Sequence, residues 1–421
     1  MRHTLQALHP KDKDLPERAH VLEFRHAVLD GTMYDPLKLE FHQERNESRH
    51  YIPISNRMPS VRHGLCHTVV KDSVSMLFSE GHFPEIACED EHCREQLADI
   101  IKDCKLPAAM IEGARWGSVG SVVFHVKVLS KKIFVSPMKT TYLTPHWDPN
   151  DPDVLQRVVE LYKVKGATLK AMGYSIQPDT DGLDYWFMRE WNALAEHWFV
   201  PIRVDGDARP TEIDIARSVT HSLGFCPMVW AKNLPGGDDT DGTCTFDPIG
   251  IENQIEMDYQ MSQGGRGLKY TSAPTTVIRT DDPKGAEMEH IVGDAIVLPT
   301  EGDAKHLEIN GQAITAVSEY CEAVRKITLE ALGGSRADPD KLSAAQSGRA
   351  MEMLNHNLIQ LADTLRSSYG ECALLEIISM IQKISAKFPL VMRDGSKIEK
   401  LQTEKKITLK WPPWYPPTYT D

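Results

Sequence analysis

Six residues in the first quarter of the chain carry atoms that could hold a metal: His63, Cys66 and His67, then Cys88, His92 and Cys93. Zinc takes four nitrogen or sulfur ligands, with paired cysteines usually two to four residues apart. Cys88 and Cys93 enclose four residues, a permitted spacing. Cys66 and His67 are adjacent, so on a helix they point to different sides, and His63 would have to complete a pair with one of them. The simpler reading leaves these residues in the core or at the surface. A zinc-stabilised module or metal-dependent enzyme on His63, Cys66, Cys88 and Cys93 stands as the alternative.

Other chemistry fails on spacing. Asp238-Asp-Thr-Asp-Gly242 has the composition of a calcium loop, but that pattern needs Asp where Gly237 stands and a bidentate Glu where Pro248 stands. Gly264-Gly-Arg-Gly-Leu-Lys269 lacks both the spacing of a phosphate-binding loop and a strand leading into it, and reads as a helix end or kink. G-x-S-x-G, H-E-x-x-H and C-x-x-C do not occur. The acidic pairs Glu287 with Glu289 and Asp281 with Asp282 lie in turn-rich sequence and read as solvated. Trp186, Trp191 and Trp198, with Tyr185 and Phe187, could form a base-stacking platform. Aromatic residues on half-buried strands are more often core, and that is the reading taken. No residue set supports catalysis, and no cofactor is implied.

The elements that would position such residues divide the chain unevenly. Residues 1–60 read as a loosely ordered N-terminal arm with one short helix, Leu15 to Leu29. Helical spacing follows at Arg62 to Phe78 and Asp90 to Cys104, the latter with Leu97, Ile100 and Ile101 inward. Trp116-Gly-Ser-Val-Gly-Ser121 leads into two β-branched runs, Val122 to Leu129 and Ile133 to Tyr142, which read as a hairpin. Pro145, Pro149, Asp151 and Pro152 form a turn cluster. Further strands are expected at Val154 to Lys165, Asp184 to Trp191, Ala195 to Val204 and within His221 to Asn233. Helical spacing resumes at Pro248 to Met261, and short apolar runs between Ala273 and Glu308 read as a small β module.

The last third carries two helix-length segments joined by a polar loop, Gly333 to Ser343. In the first, Ile314, Val317, Cys321, Val324 and Thr328 alternate steps of three and four, one stripe that needs a neighbour. In the second, Leu354, Leu358, Leu361 and Leu365 repeat the spacing, and Leu374, Ile377, Ile378 and Ile381 resume it beyond Gly370, a candidate kink. Ser343 or Ser347 can cap this run and Pro389 stops it, giving a helix of about 40 residues, roughly 60 Å long. Lys406 to Trp411 reads as a late strand before Pro412-Pro-Trp-Tyr-Pro-Pro417.

Bulk composition narrows the classes. With 421 residues, 41% apolar and 25% charged, the chain is long enough for two or three domains. No window reaches eighteen uninterrupted apolar residues, so no membrane span is expected, and the first ten residues lack a signal-like apolar run, which points to synthesis in a cytoplasm. The eight cysteines, Cys226, Cys321 and Cys372 among them, read as reduced core residues. A net charge of −13 argues against sequence-specific nucleic-acid binding. It is compatible with a channel that passes a polyanion without holding it.

The order of helix, small β insert, helix, polar loop and a very long helix beginning Gln346-Ser-Gly-Arg-Ala-Met351 resembles the portal protein family of tailed bacteriophages. Gly224-Phe-Cys-Pro227 to Asn233, the Trp116 to Ser121 hairpin lead and Ile407 to Trp411 add to the likeness, which covers roughly residues 60–411. The resemblance implies an α+β portal fold: a β-rich wing (61–248), stem helices (249–270 and 311–331), a small α/β clip (271–310), a channel loop (332–343), one very long kinked helix (344–388) and a return strand with its proline-rich tail (389–421). A crown would be absent or reduced. It further implies a homo-oligomeric ring of about twelve copies (a dodecamer) in the virion at one capsid vertex. Double-stranded DNA would be packaged and ejected through it, and terminase, major capsid protein, scaffold and head-tail adaptor would be its partners. On that analogy Arg325, Lys326, Arg336 and Lys341 line the DNA channel, while Ile314, Val317, Cys321 and Val324 pack between subunits.

Overall fold

Apolar spacing near the N-terminus does more than make a short helix. The computed structural model describes residues 1–272, 277–279, 296–298, 312–335, 348–401 and 406–415. In it, helices α1 (Arg2–Leu8) and α2 (Glu17–Asp30) bury Leu5, Leu22, Phe24, Val28 and Leu29 in the main core. The expected loose arm is therefore an integral part of the fold. Its arginines explain the difference: Arg2 and Arg25 both reach Asp247, at 2.5 and 2.8 Å, and Arg18 grips Asp241 through Nε and Nη2 at 2.5 and 2.8 Å. Charges that composition alone leaves in solvent are instead tied to partners more than 200 residues away in sequence.

Strands β1 (Leu39–Glu40) and β2 (Arg57–Met58) pair in parallel ahead of α3 (Leu65–Phe78). β3 (Glu85–Cys88) and α4 (Glu91–Asp103) follow, α4 burying Leu97, Ile100 and Ile101 as its spacing predicts. α5 (Leu106–Gly117) was not expected, because its inward residues include Ala109, Gly113 and Ala114, which carry little apolar signal.

The β-branched runs form the hairpin β4 (Ser121–Leu129) and β5 (Lys132–Lys139). Then β6 (Leu143–Asp148), β7 (Asp151–Lys165), β8 (Asp184–Asn192) and β9 (Ala195–Trp198) build an antiparallel meander. Helix α6 (Gly166–Ala171) lies between β7 and β8, and β10 (Ile202–Arg203) and β11 (Val219–Thr220) pair with β8 and β9. Pro145 lies in β6, not in a turn, and is tolerated there because β6 is an edge strand. β12 (Met228–Lys232) returns to β4, giving a separate sheet in the order β12-β4-β5. Trp186 and Trp191 are buried, in agreement with their reading as core.

α7 (Ile249–Ser272) runs through Gly264 to Gly267, where the sequence suggested a weakening or an end. The next described segments, β13 (Val277–Arg279) and β14 (Ile296–Leu298), pair in parallel inside the expected β module. α8 (Gln312–Ala331) follows. The expected long helix is segmented: α9 (Gly348–Leu354), a break at Asn355, α10 (His356–Leu365), a π-helical stretch at Arg366–Leu374 and α11 (Leu375–Lys387). β15 (Leu390–Val391) and β16 (Lys397–Ile398) pair with each other, and β17 (Ile407–Lys410) pairs antiparallel with β3. The fold is thus α+β. Leu365, Tyr369, Leu374, Ile377, Ile381 and Ile384 carry the segmented helix into the same core as α2, α3 and β4. Cys226 and Cys321 are buried as expected, whereas Cys372 is exposed.

Gly370 sits at the centre of the π stretch because Trp411 lies against it, with Trp411 Cζ2 2.4 Å from where a Cβ would stand. In an open helix, Gly→Ala gains about 1 kcal/mol. Here overpacking against an indole costs about 1–3 kcal/mol and should win. Gly370→Ala is therefore expected to lower unfolding stability in urea titrations; a variant as stable as the parent would show that Trp411 does not constrain the helix.

Candidate functional site: the α7–α8 helix pair

The stripe on α8 has a neighbour within the chain. Asn253 Nδ2 donates to Thr328 Oγ1 at 2.8 Å, and Val317 packs on Gly264, so α7 and α8 run antiparallel. Cys321 and Thr328 are buried, and Val324 packs beside Leu65, Val69, Met257 and Leu329. Ile314 and Val317 are half-buried. Most of the seam expected between subunits, Ile314, Val317, Cys321 and Val324, is therefore turned toward α7 of the same chain. A three-four stripe specifies only that some apolar surface covers it, and the nearest such surface is intramolecular.

A second line of residues, not singled out from the sequence, faces outward. Ala316, Tyr320, Ala323 and Ile327 follow steps of four, three and four and are all exposed, Tyr320 at 47% and Ile327 at 62%. Their alanines hide the pattern, since the larger stripe dominates any periodicity. Arg325 and Lys326 are exposed beside them, and Arg325 lies in the field of Asp72 on α3, whose carboxyl burial pushes above the ordinary range. Arg336 and Lys341 lie outside the described residues.

α7 is held at mid-length by a buried polar node. Asp258 accepts from the Tyr34 hydroxyl at 2.9 Å, the His63 backbone N–H at 2.7 Å and His63 Nδ1 at 3.0 Å, with its side chain fully buried. One turn earlier, Gln254 Oε1 accepts the Cys66 N–H at 2.9 Å. The Arg62 guanidinium covers the Tyr34 ring at 5.6 Å. Burial raises the Asp258 carboxyl above its usual range, against the hydrogen bonds from His63 and Tyr34 that pull it down.

This node accounts for half of the candidate metal set. His63 and Cys66 are engaged by α7, Cys93 is buried in α4, and Cys88, the last residue of β3, stands opposite Ile407 of β17. His92 contacts Glu399 at the surface. Among the described residues no group of three His, Cys, Asp or Glu side chains is placed to hold a metal, so the structure does not assemble the zinc alternative. The acidic loop is likewise committed: Asp238 Oδ1 accepts the Thr240 and Asp241 N–H groups, and Asp241 binds Arg18 and the Ser121 hydroxyl. No described helix is long and apolar enough to cross a membrane. The chain matches no known protein-family model and no curated protein sequence.

Removing the Asp258 carboxylate separates its hydrogen bonds from its charge. Asp258→Ala strands buried donors and is expected to cost about 3 kcal/mol, whereas Asp258→Asn keeps an acceptor and should cost about 1 kcal/mol. The raised folded value favours the protonated carboxyl, so its stabilising contribution is present at low pH and lost as pH rises through the raised value. Wild-type stability should fall relative to Asp258→Asn over that interval and hold a constant gap above it. Parallel stability–pH curves for the two proteins would contradict the assignment.

Proposed function

We propose that the chain is the subunit of a ring-forming DNA conduit of the tailed-phage portal class. In this reading it acts at one capsid vertex, passes double-stranded DNA during packaging and ejection, and docks the terminase and a head-tail adaptor without enzymatic activity of its own. The observation that carries the proposal is the outward line Ala316, Tyr320, Ala323 and Ile327 on a helix already packed against α7. A helix that has satisfied one face inside its chain and still exposes a second apolar line is suited to a further neighbour. Small residues alternating with Tyr and Ile allow close helix approach with two large anchors. If the line on one copy meets a different face of the next, the contact is heterologous, and repeated rotation closes a ring.

Electrostatics supports the same use. Arg325 and Lys326 are exposed on α8, while the chain as a whole carries −13. A few cations within an acidic assembly give salt-sensitive, sequence-independent phosphate contacts that do not arrest a sliding duplex. The late strand β17, paired back to β3, and the segmented helix through the core supply the rigid body from which such a stem would project.

Burying an Ile or Tyr is worth about 1.5–3 kcal/mol per side chain, so one charge in the line should dominate assembly. Ile327→Asp, at an already exposed position, is expected to leave thermal stability near that of the parent and to abolish closed rings in electron micrographs and light scattering. Val324→Asp, facing the chain's own core, should instead lower stability itself. A wild-type protein that stays monomeric at high concentration, or an Ile327→Asp protein with normal rings, would remove the proposal's support.

A further inference from the structure

A large groove is lined by elements other than α7 and α8. It opens between the tip of the β6–β7 hairpin, the strand β12 and the outer side of the π stretch and α11, and encloses about 1110 Å³. That exceeds the roughly 300–1,000 Å³ of small-molecule sites and suits a length of polypeptide. Trp147, Leu155 and Phe225 line it half-exposed, over the deeper Trp230 and Met380. The Trp230 indole N–H is already donated to the Thr240 carbonyl at 2.7 Å, so what remains available from this residue is apolar.

The groove's charge is one-sided. Asp148, Asp153, Asp239 and Glu376 stand along it against two cations, Lys232 and Lys383. Both lysines are occupied: Lys232 donates to the Asp238 carbonyl at 3.1 Å, and Lys383 lies 3.8 Å from Glu376 and over the Phe225 ring. Asp148 accepts from the Asn150 N–H and from Gln156. The carboxylates of Asp153 and Asp239 make no ion pair among the described residues and remain available. We infer that this groove docks a basic, amphipathic segment of a partner protein, whose apolar side chains enter over Trp147 and Phe225 while its lysines or arginines meet Asp153 and Asp239. The complementarity of an apolar floor and unmatched carboxylates selects this occupant over an acidic segment or a nucleic acid, either of which those carboxylates would repel.

Cys372, an exposed thiol on the groove wall, allows a direct test. Fluorescence anisotropy would follow a labelled ten-residue peptide alternating Lys with Leu, beside a Lys/Ser peptide of equal charge and a Glu/Leu peptide of equal apolarity. The Lys/Leu peptide is expected to bind at least tenfold more tightly than either control. Coupling a bulky maleimide to Cys372 should abolish that binding, and the same reagent should leave binding to Cys372→Ser unchanged. The double variant Asp153→Asn/Asp239→Asn should weaken binding about fivefold and flatten its salt dependence, since exposed charges contribute modestly and are screened. Equal binding of the Lys/Ser peptide would reduce the effect to general attraction by an acidic protein and overturn the inference. So would binding that survives both maleimide and the double variant, or self-association that maleimide disrupts, which would make a second copy the occupant.

Discussion

A single buried amide holds the parts of this molecule in register. Asn233, at the end of β12 and 1% exposed, donates through Nδ2 to the Thr243 carbonyl at 2.8 Å and the Thr245 hydroxyl at 2.9 Å. Its backbone N–H reaches the Gly120 carbonyl at 2.9 Å, and its Oδ1 accepts the Tyr369 hydroxyl at 3.0 Å. One residue thereby joins the turn before β4, the loop that launches α7 and the π stretch of the segmented helix. A buried amide this fully used is costly to replace, because every lost partner becomes an unsatisfied group in a low-dielectric interior. Gly117 completes the arrangement: a Cβ there would stand 2.2 Å from the Tyr369 oxygen, so the hydroxyl reaches Asn233 only past a residue without a side chain.

From that node the chain leads to both proposed surfaces. The loop after Asn233 is clamped by Arg18 on Asp241 and by Arg2 and Arg25 on Asp247, and α7 starts directly beyond it. Asp258 then fixes α7 to Tyr34 and His63 two and a half turns further on. The base of the helix pair is therefore anchored in the main core, and the outward line on α8 inherits its direction from that anchorage. In the conduit reading this is what a stem needs, since an interface repeated around a ring tolerates little angular error per subunit. The groove lies between β12, which Asn233 follows, and the π stretch that carries Tyr369.

Legibility followed the size of the apolar signal. Helices α3 and α4, the β4–β5 hairpin, strands β7 to β9 and β17 were readable because large apolar residues recur at one period over several turns or alternations, whereas the prolines around β6 read as a turn. α5 was not, because Ala109, Gly113, Ala114 and Gly117 leave Leu106 and Met110 as the only large residues on its inward face, and the order in the first 30 residues was not, because it rests in part on arginines whose aspartates are distant in sequence. The stripe Ile314, Val317, Cys321 and Val324 was found, but periodicity names no partner, and α7 of the same chain takes up most of it. The outward line escaped for the converse reason: its two alanines, Ala316 and Ala323, dilute Tyr320 and Ile327 below notice. Asn233 lay in a segment singled out for its strand, yet nothing in one sequence shows that an amide there meets Tyr369.

The distribution of cations bears on how such a chain could treat a polyanion. Many arginines are spent within the fold: Arg189 lies between Trp191 and Trp198 at 4.8 and 4.7 Å, Arg366 is covered by Trp411 and Trp414, and Arg57 is fully buried with its guanidinium on the Phe41 carbonyl. A guanidinium stacked on indoles or desolvated in the core adds packing and cation–π energy but presents little charge to a phosphate. Buried carboxylates such as Asp247 and Asp258 offset these internal cations, and the chain as a whole stays acidic at −13. In the conduit reading, a duplex near an acidic surface is repelled over about a Debye length, roughly 8 Å at physiological salt, and would meet attraction where side chains like Arg325 and Lys326 project. Repulsive walls with sparse contacts favour passage over capture, which is the electrostatic condition for a conduit and the opposite of the one for a binding protein.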